Sequence, residues 1–395
     1  MTDDTPVISR RNLLLGLGAV ATLAACGPEK QGQSPSDVTG GGGSDGGNVP
    51  SGGAGVTTDG GAADAASLDA TAAPDAAIDA ATDAATDAAT DAATDATMDV
   101  ATGLPAPIPP ITPNADHFVT SCCTTPHIDI STWSIALIDR GKPLGTITAK
   151  LLGSLQAKEK EHTLECISAS PYHGSISNAI WTGLPLVDIL AKLGVQVPKG
   201  VTTLKLGAAD GYATAVPVTD LQRPIWLVWQ MNGAPIPLDH GYPARLLLPG
   251  RYGTKNPKWL TSLEFLDTAF VGYWEETGWS DDASYKPNTL VRSPATGAKL
   301  PLGLVRLQGT AFAGSDPVVA VDVRIDAGAW QPAVLDYAPG ADIWTLWHYD
   351  WQALTAGSYG LQARCTTKSG AVSLEKASAG LTGYDGSMTV TLTVG

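Results

Sequence analysis

The five cysteines form no Cys-x-x-Cys pair and no Cys-x-x-Cys-His run, which leaves iron–sulfur and covalent haem chemistry without their usual ligands. Their spacing does not suit a four-ligand zinc site either. Charged residues are scarce, at 16%. No basic patch stands out, so nucleic acid is not an expected partner. The run Gly40–Gly43 is not followed by Gly-Lys-Ser/Thr, which excludes a phosphate loop there. The apolar run Leu13–Ala25 falls short of the ~20 residues that cross a bilayer.

What the N-terminal region does have is an address. Ser9-Arg10-Arg11-Asn12-Leu13-Leu14-Leu15 resembles a twin-arginine export signal. Leu23-Ala24-Ala25-Cys26-Gly27 resembles the bacterial lipobox, which implies lipidation of Cys26. Residues 1–26 are therefore expected to be a signal. The mature chain is expected to be exported and membrane-anchored, facing the periplasm or the cell surface.

Residues 27–112 hold 12 aspartates, one glutamate and one lysine, so most of the chain's formal charge of −15 lies there. The stretch repeats Thr-Asp-Ala-Ala, as at Thr82–Ala85 and Thr86–Ala89, and has no aromatic residue. It cannot bury enough surface to offset ordering entropy and reads as a disordered tether. Pro105, Pro107, Pro109, Pro110 and Pro113 stiffen its end.

Residues 113–293 read as a mixed, mainly β domain. Strands are expected at Trp133–Asp139, around Leu164–Ile167, at Ile225–Met231 and at Ala244–Leu248. Leu186, Ile189, Leu190 and Leu193 have helical spacing after Pro185. Cys166 ends a strand-like run and is followed by a small, polar loop and then Trp181-Thr182-Gly183-Leu184-Pro185-Leu186. Further on, Asn232-Gly233-Ala234-Pro235 opens a stretch through Asp239-His240-Gly241-Tyr242-Pro243-Ala244-Arg245 and Pro249-Gly250-Arg251-Tyr252-Gly253-Thr254-Lys255 to Lys258-Trp259-Leu260.

These two stretches together resemble the sulfite oxidase family of molybdopterin-dependent oxidoreductases. The resemblance implies a mononuclear molybdenum–molybdopterin cofactor with Cys166 as the catalytic metal ligand, a role suited to a soft thiolate. It also implies cofactor contacts from Phe118, Val119, His240, Arg245, Gly253, Thr254 and Lys255. A charged fork, a point charge and free backbone N–H groups suit a pterin that ends in a phosphate. Asp210-Gly211-Tyr212 reads equally well as a plain turn or as a cofactor contact.

The family's implied reaction is two-electron oxygen-atom transfer on a small molecule. Electrons then pass to an external carrier such as a cytochrome, since the chain has no haem motif. The sequence departs from the sulfite-specific pattern. No arginine follows Cys166, Thr120-Ser121-Cys122-Cys123 stands where an early anion-binding arginine is expected, and Trp279 takes a tyrosine position. A dianion needs charge-matched donors, so sulfite is not the expected substrate. Tyr172 and His173 are candidate pocket residues. A reductase of S-oxides or N-oxides is the alternative within the fold, and a cofactor-free surface binding lipoprotein is the alternative outside it.

Residues 294–395 carry about seven short strand candidates, among them Val318–Ile325, Trp344–His348 and Tyr359–Arg364. They read as an immunoglobulin-like sandwich, and the whole as an α+β chain. In the family that sandwich implies homodimerisation. Trp330, Trp344, Trp347 and Trp351 are expected in its core. Cys122 or Cys123 could pair with Cys365, or one could stay near the metal. A bond between the two neighbours is the less expected outcome, because of strain.

Overall fold

A computed structural model describes residues 104–168, 175–378 and 380–395. Cys26, the Gly and Thr-Asp-Ala-Ala stretches, Tyr172 and His173 lie outside the described residues. Within the described residues, no helix is long and apolar enough to cross a membrane.

The N-terminal half is built on two sheets. The first has five strands in the order Lys142–Thr148, Ser134–Asp139, Leu260–Leu266, Thr203–Ala208, Ala213–Pro217. Its apolar residues alternate, so Ile135, Leu137, Leu204, Leu206, Leu263 and Phe265 all turn to one buried face. Onto that face packs the helix Leu186–Lys192 through Leu186, Ile189 and Leu190. Pro185 starts the helix because its missing N–H would be unsatisfied there anyway. Strand Ser134–Asp139 pairs in parallel with Leu260–Leu266, from far down the chain. That pairing brings the end of the Gly253–Leu260 stretch into this core.

The second sheet runs Lys158–Glu165, Ile176–Pro185, Trp226–Met231, Ala234–Pro235, with Arg245–Leu247 pairing on Trp226–Met231. Its core holds Leu164, Trp181, Val228, Met231 and Leu247. Strand Lys158–Glu165 stops one residue before Cys166, whose N–H donates to the Ser175 carbonyl. Gly183 sits where a Cβ would lie 2.2 Å from the Leu227 carbonyl oxygen, so only glycine lets these strands close.

Two further sheets share a C-terminal core. One is Asn288–Ser293, Gly303–Phe312, Thr345–Ala353, Val334–Tyr337. The other is Lys299–Leu300, Val390–Val394, Gly357–Thr367, Val318–Ile325, Gln331–Pro332. Leu307, Trp347, Val321, Val323, Leu361, Cys365 and Leu392 fill the space between them. The sheet takes its first strand, Asn288–Ser293, from just before residue 294. Trp344 and Trp347 are buried as expected of core residues. Trp330 is not in the core: it lies between Arg324 and Arg364, each 4.5 Å from its ring, where cation–π contact replaces packing.

The end of the expected tether is part of the fold. The Thr112 N–H donates to Asn178, and Pro110 accepts from Asn178 Nδ2 and from Trp344 Nε1. Gln308 donates to Ala106. Proline-rich backbone offers free carbonyls, and buried side-chain donors take them, so residues 106–112 join both halves instead of hanging free.

Candidate functional site

One cavity of about 270 Å³ opens between the two N-terminal sheets and the loops that join them. Cys166 reaches it from the end of its strand; the thiol is largely buried and lies 3.1 Å from Ser168 Oγ. The turn Gly253–Lys255 passes so close that a Cβ on Gly253 would meet the Glu165 carbonyl oxygen at 3.4 Å and Cys166 Cα at 4.0 Å. Thr254 follows, its carbonyl accepting a 2.5 Å bond from the Tyr212 hydroxyl.

Across the cavity, Gly241 has φ +113° and ends the turn Leu238–His240, which places His240 against the segment from Asn114. His240 Nε2 donates to the Asn114 carbonyl at 3.0 Å. Arg245 is buried and spans two turns, with Nη1 on the His240 carbonyl at 2.9 Å and Nη2 on the Asn256 carbonyl at 3.0 Å. Burial pushes its guanidinium down to about 10.

Of the residues named from sequence, Phe118, Val119, Cys166, His240, Arg245, Gly253 and Thr254 line this one cavity. Asp210, Tyr212 and Trp279 line it too. Lys255 does not. Its ammonium is fully buried on the other side of the turn, paired with Glu275 and with Asp281 at 2.8 Å, and it donates to Thr214 Oγ1 and the Ala215 carbonyl. A turn of three residues sends neighbouring side chains opposite ways, and the buried carboxylate of Glu275 captures this one.

Two groups not named from sequence stand in the cavity instead. Lys258 donates to Ser121 Oγ and to the Asp239 carbonyl. Burial, with Arg245 nearby, pushes its amine down to about 7. His117 is buried beside His240, with ring centroids 5.1 Å apart, and stacks on Phe118 at 5.4 Å. Burial, then His240 and Arg245, lower its pKa to about 3, so it is neutral. Its Nδ1 faces the Phe118 carbonyl, which can only accept; the proton therefore sits on Nδ1 and the Nε2 lone pair is free. Their signals were in the sequence, as the lysine of Lys258-Trp259-Leu260 and the residue preceding Phe118.

The arrangement suits a polar, anionic ligand with many hydrogen-bonding atoms. Among the described residues, His117 Nε2, Arg245 Nε and Thr254 Oγ1 are buried without a partner, and all three residues line the cavity. Each such atom costs about 1–3 kcal/mol unless something meets it. Arg245 and Lys258 are the cationic side chains on the described wall. The outer wall is aromatic, from Tyr273, Trp274 and Trp279.

The cysteines divide otherwise than expected. Cys122 and Cys123 are bonded to each other, and Cys122 lines the cavity. Cys365 is a free, buried thiol in the C-terminal core, donating to the Asn288 carbonyl.

Comparison with known proteins places these observations. Residues 122–274 match the family described as oxidoreductase molybdopterin binding domain. Mitochondrial sulfite oxidase of Macaca fascicularis is 27% identical over 288 residues, 60% of this chain and 52% of that protein. Sulfite oxidase of Gallus gallus is 27% identical over 285 residues, 60% of this chain and 62% of that one. A nitrate reductase of Hordeum vulgare is 26% identical over 283 residues, 58% of this chain and 32% of the enzyme. The chain thus spans about half the length of the first sulfite oxidases it matches. Among solved structures, the sulfane dehydrogenase SoxCD from Paracoccus pantotrophus superposes with a TM-score of 0.61 at 23% identity, covering 67% of this chain and 75% of that one, which is a likeness of fold. With the pterin-suited cavity and these matches together, residues 122–274 are a molybdopterin-binding oxidoreductase domain, similar to that of the sulfite oxidases.

Proposed function

We propose that this chain is an exported enzyme performing two-electron oxygen-atom transfer, on a substrate other than sulfite. The observation that carries the reading is the meeting of Cys166, His117, His240, Arg245, Thr254 and Lys258 around one cavity. Cys166 would hold the molybdenum. Arg245, Lys258, Thr254 and His117 would hold the pterin and its phosphate. Bound there, the cofactor supplies a metal that exchanges an oxygen atom and two electrons. The chain's own residues orient it and keep water out, with Tyr273, Trp274 and Trp279 forming the outer wall.

The substrate reading rests on charge. Sulfite carries two negative charges and needs matched donors in a dry pocket. Arg245 and Lys258 are the cationic side chains on the described wall, and both would be committed to the cofactor, which leaves a dianionic substrate without a matched partner there. Aromatic walls suit a neutral or larger oxygen donor or acceptor better, S-oxides and N-oxides included.

Arg10-Arg11 and the Cys26 lipobox support twin-arginine export and a lipid anchor facing the periplasm or surface. An external carrier such as a cytochrome would take or give the electrons. The two C-terminal sheets would form the immunoglobulin-like sandwich through which two copies pair.

Protein purified from a molybdenum-competent host should contain about one Mo per chain. It should then be assayed with sulfite plus an oxidised acceptor, and with S-oxides and N-oxides plus a reduced dye. Folded protein without molybdenum overturns the enzyme reading. Sulfite turnover faster than that of every neutral substrate overturns the substrate reading.

A further inference from the structure

The Cys122–Cys123 disulfide has no structural task that its position explains. A disulfide stabilises chiefly by closing a long loop in the unfolded chain. One between sequence neighbours closes the shortest loop there is and ties no other element down. This pair instead stands in the wall of the cavity, half-buried, with Cys122 facing inward. A disulfide that solvent and small molecules can reach is open to thiol exchange.

Its surroundings suit sulfur exchange. The Asp210 carboxylate lies 4.0 Å from Cys122 Sγ, close enough to take the proton of a thiol that approaches that sulfur. Asp210 is fixed by its other oxygen, which accepts the Tyr212 N–H at 3.1 Å. On the other flank, the Lys258 ammonium is bonded to Ser121, the residue before Cys122, and positive charge there favours a thiolate. The three groups Cys122, Cys123 and Asp210 present ligand atoms within 4.8 Å of one another. With the two sulfurs joined they offer no thiolate to a cation, so the chemistry open to the pair is exchange.

We propose that Cys122–Cys123 is a thiol-capture site in the wall of the cofactor cavity, taking small thiols as mixed disulfides, and persulfides as trisulfides, on Cys122. An entering R–SH gives its proton to Asp210 and its sulfur bonds to Cys122 Sγ. The Cys122–Cys123 bond breaks, and its electron pair leaves with Cys123 Sγ, which takes up the proton. One S–S bond forms for one that breaks. A second R–SH then releases R–S–S–R and leaves both cysteines as thiols. The proposal rests on the same cavity as the functional reading but needs no metal, and it points to sulfur compounds as a ligand class for that cavity.

The test is covalent mapping on the molybdenum-loaded protein. It is incubated with cysteamine or 2-mercaptoethanesulfonate, quenched with N-ethylmaleimide and digested without reductant. The expected result is one thiol on Cys122 and one maleimide on Cys123, with Cys166 and Cys365 free of thiol. Asp210→Asn, which keeps an oxygen acceptor for the Tyr212 N–H, should slow capture at least about tenfold, as removal of a general base does. Adducts that form only after denaturation overturn the proposal, as do adducts on Cys123 alone or two free thiols in air-purified protein. The wild-type mapping decides the site even where Asp210→Asn fails to fold. Because the readout is mass and not turnover, it separates failure of this site from failure of the molybdenum reading, which metal content reports.

Discussion

The guanidinium carbon of Arg245 stands 5.3 Å from the centroid of the Trp181 ring, with both side chains buried. The ring faces a cation whose Nη atoms bridge the His240 and Asn256 carbonyls, so one side chain fixes two turns of the cavity wall. Arg245→Lys keeps a charge but cannot span both carbonyls, since an ammonium is a point donor where a guanidinium is a fork. Leaving a buried carbonyl unpaired costs about 1–3 kcal/mol. Urea unfolding of Arg245→Lys should therefore show a loss of about 2–4 kcal/mol. An unchanged midpoint would mean that the bridge holds nothing.

His117 sets a pH dependence. Its folded pKa of about 3 lies below the ordinary 6.5, because burial and the neighbouring His240 and Arg245 disfavour the cation. The unfolded chain binds the proton first, so stability is lost as pH falls from about 6.5 toward 3. The loss attributable to this residue is up to about 5 kcal/mol. His117→Asn should flatten that part of a stability–pH curve measured by denaturant melts. A variant whose curve falls as steeply as wild type would show that His117 is not buried neutral.

Lys258 should betray itself by reactivity. An amine pushed down to about 7 is largely neutral at about pH 8 and nucleophilic there. Limited acetylation at that pH should modify Lys258 ahead of Lys205, which stays beside Glu264 at 3.8 Å. Its linkage has a definite sign: the unfolded chain holds the proton up to 10.5, so stability rises with pH between about 7 and 10.5. Lys258→Met should remove that rise. Loading with molybdopterin should protect the residue, because an anion beside it restores the ammonium. Equal labelling of loaded and cofactor-free protein would place Lys258 away from the cofactor.

Lys255 and Glu275 form a buried pair in place of a cofactor contact. Removing one partner strands the other charge, at about 3–5 kcal/mol. Lys255→Met should therefore be strongly destabilising by thermal melt. Lys255→Met with Glu275→Leu should recover more than half of that loss. A double variant no better than the single would assign the cost to the Thr214 and Ala215 bonds of the ammonium.

These residues also mark what was legible in the sequence. Alternation in Trp133–Asp139 and the spacing of Leu186, Ile189 and Leu190 located a strand and a helix, because one buried face leaves a period. The motifs around Trp181 and Arg245 pointed to one place in the fold, and the Arg245 guanidinium does lie over the Trp181 ring, at the cavity wall that Arg245 lines. Lys255 and Lys258 could not be told apart by pattern: they lie three residues apart in one stretch, and only the position of Glu275, twenty residues on from the first, turns that one away. The Cys122–Cys123 bond was equally hidden, since pairing depends on where Cys365 lies, and it lies in the C-terminal core. Residues 106–112 read as tether because their contribution is backbone carbonyls, which composition does not report.

Cys166→Ser is the sharpest single test of the chemistry. The thiol is largely buried, and its neighbours are Ser168 Oγ and the backbone of the Gly253 turn. A hydroxyl fills nearly the same space and can hydrogen-bond to Ser168 in the same way, so the melting temperature should move by only a few degrees, about 1 kcal/mol or less. A hard oxygen is a poor substitute for a soft thiolate on the metal. Turnover should therefore be abolished while the pterin, gripped by Arg245, Thr254 and Lys258, is still retained. Both quantities can be read on one sample, pterin by fluorescence after release and molybdenum environment by X-ray absorption, where a sulfur neighbour should be lost. Wild-type activity in Cys166→Ser, with the absorption spectrum unchanged, would move the metal ligand elsewhere in the chain.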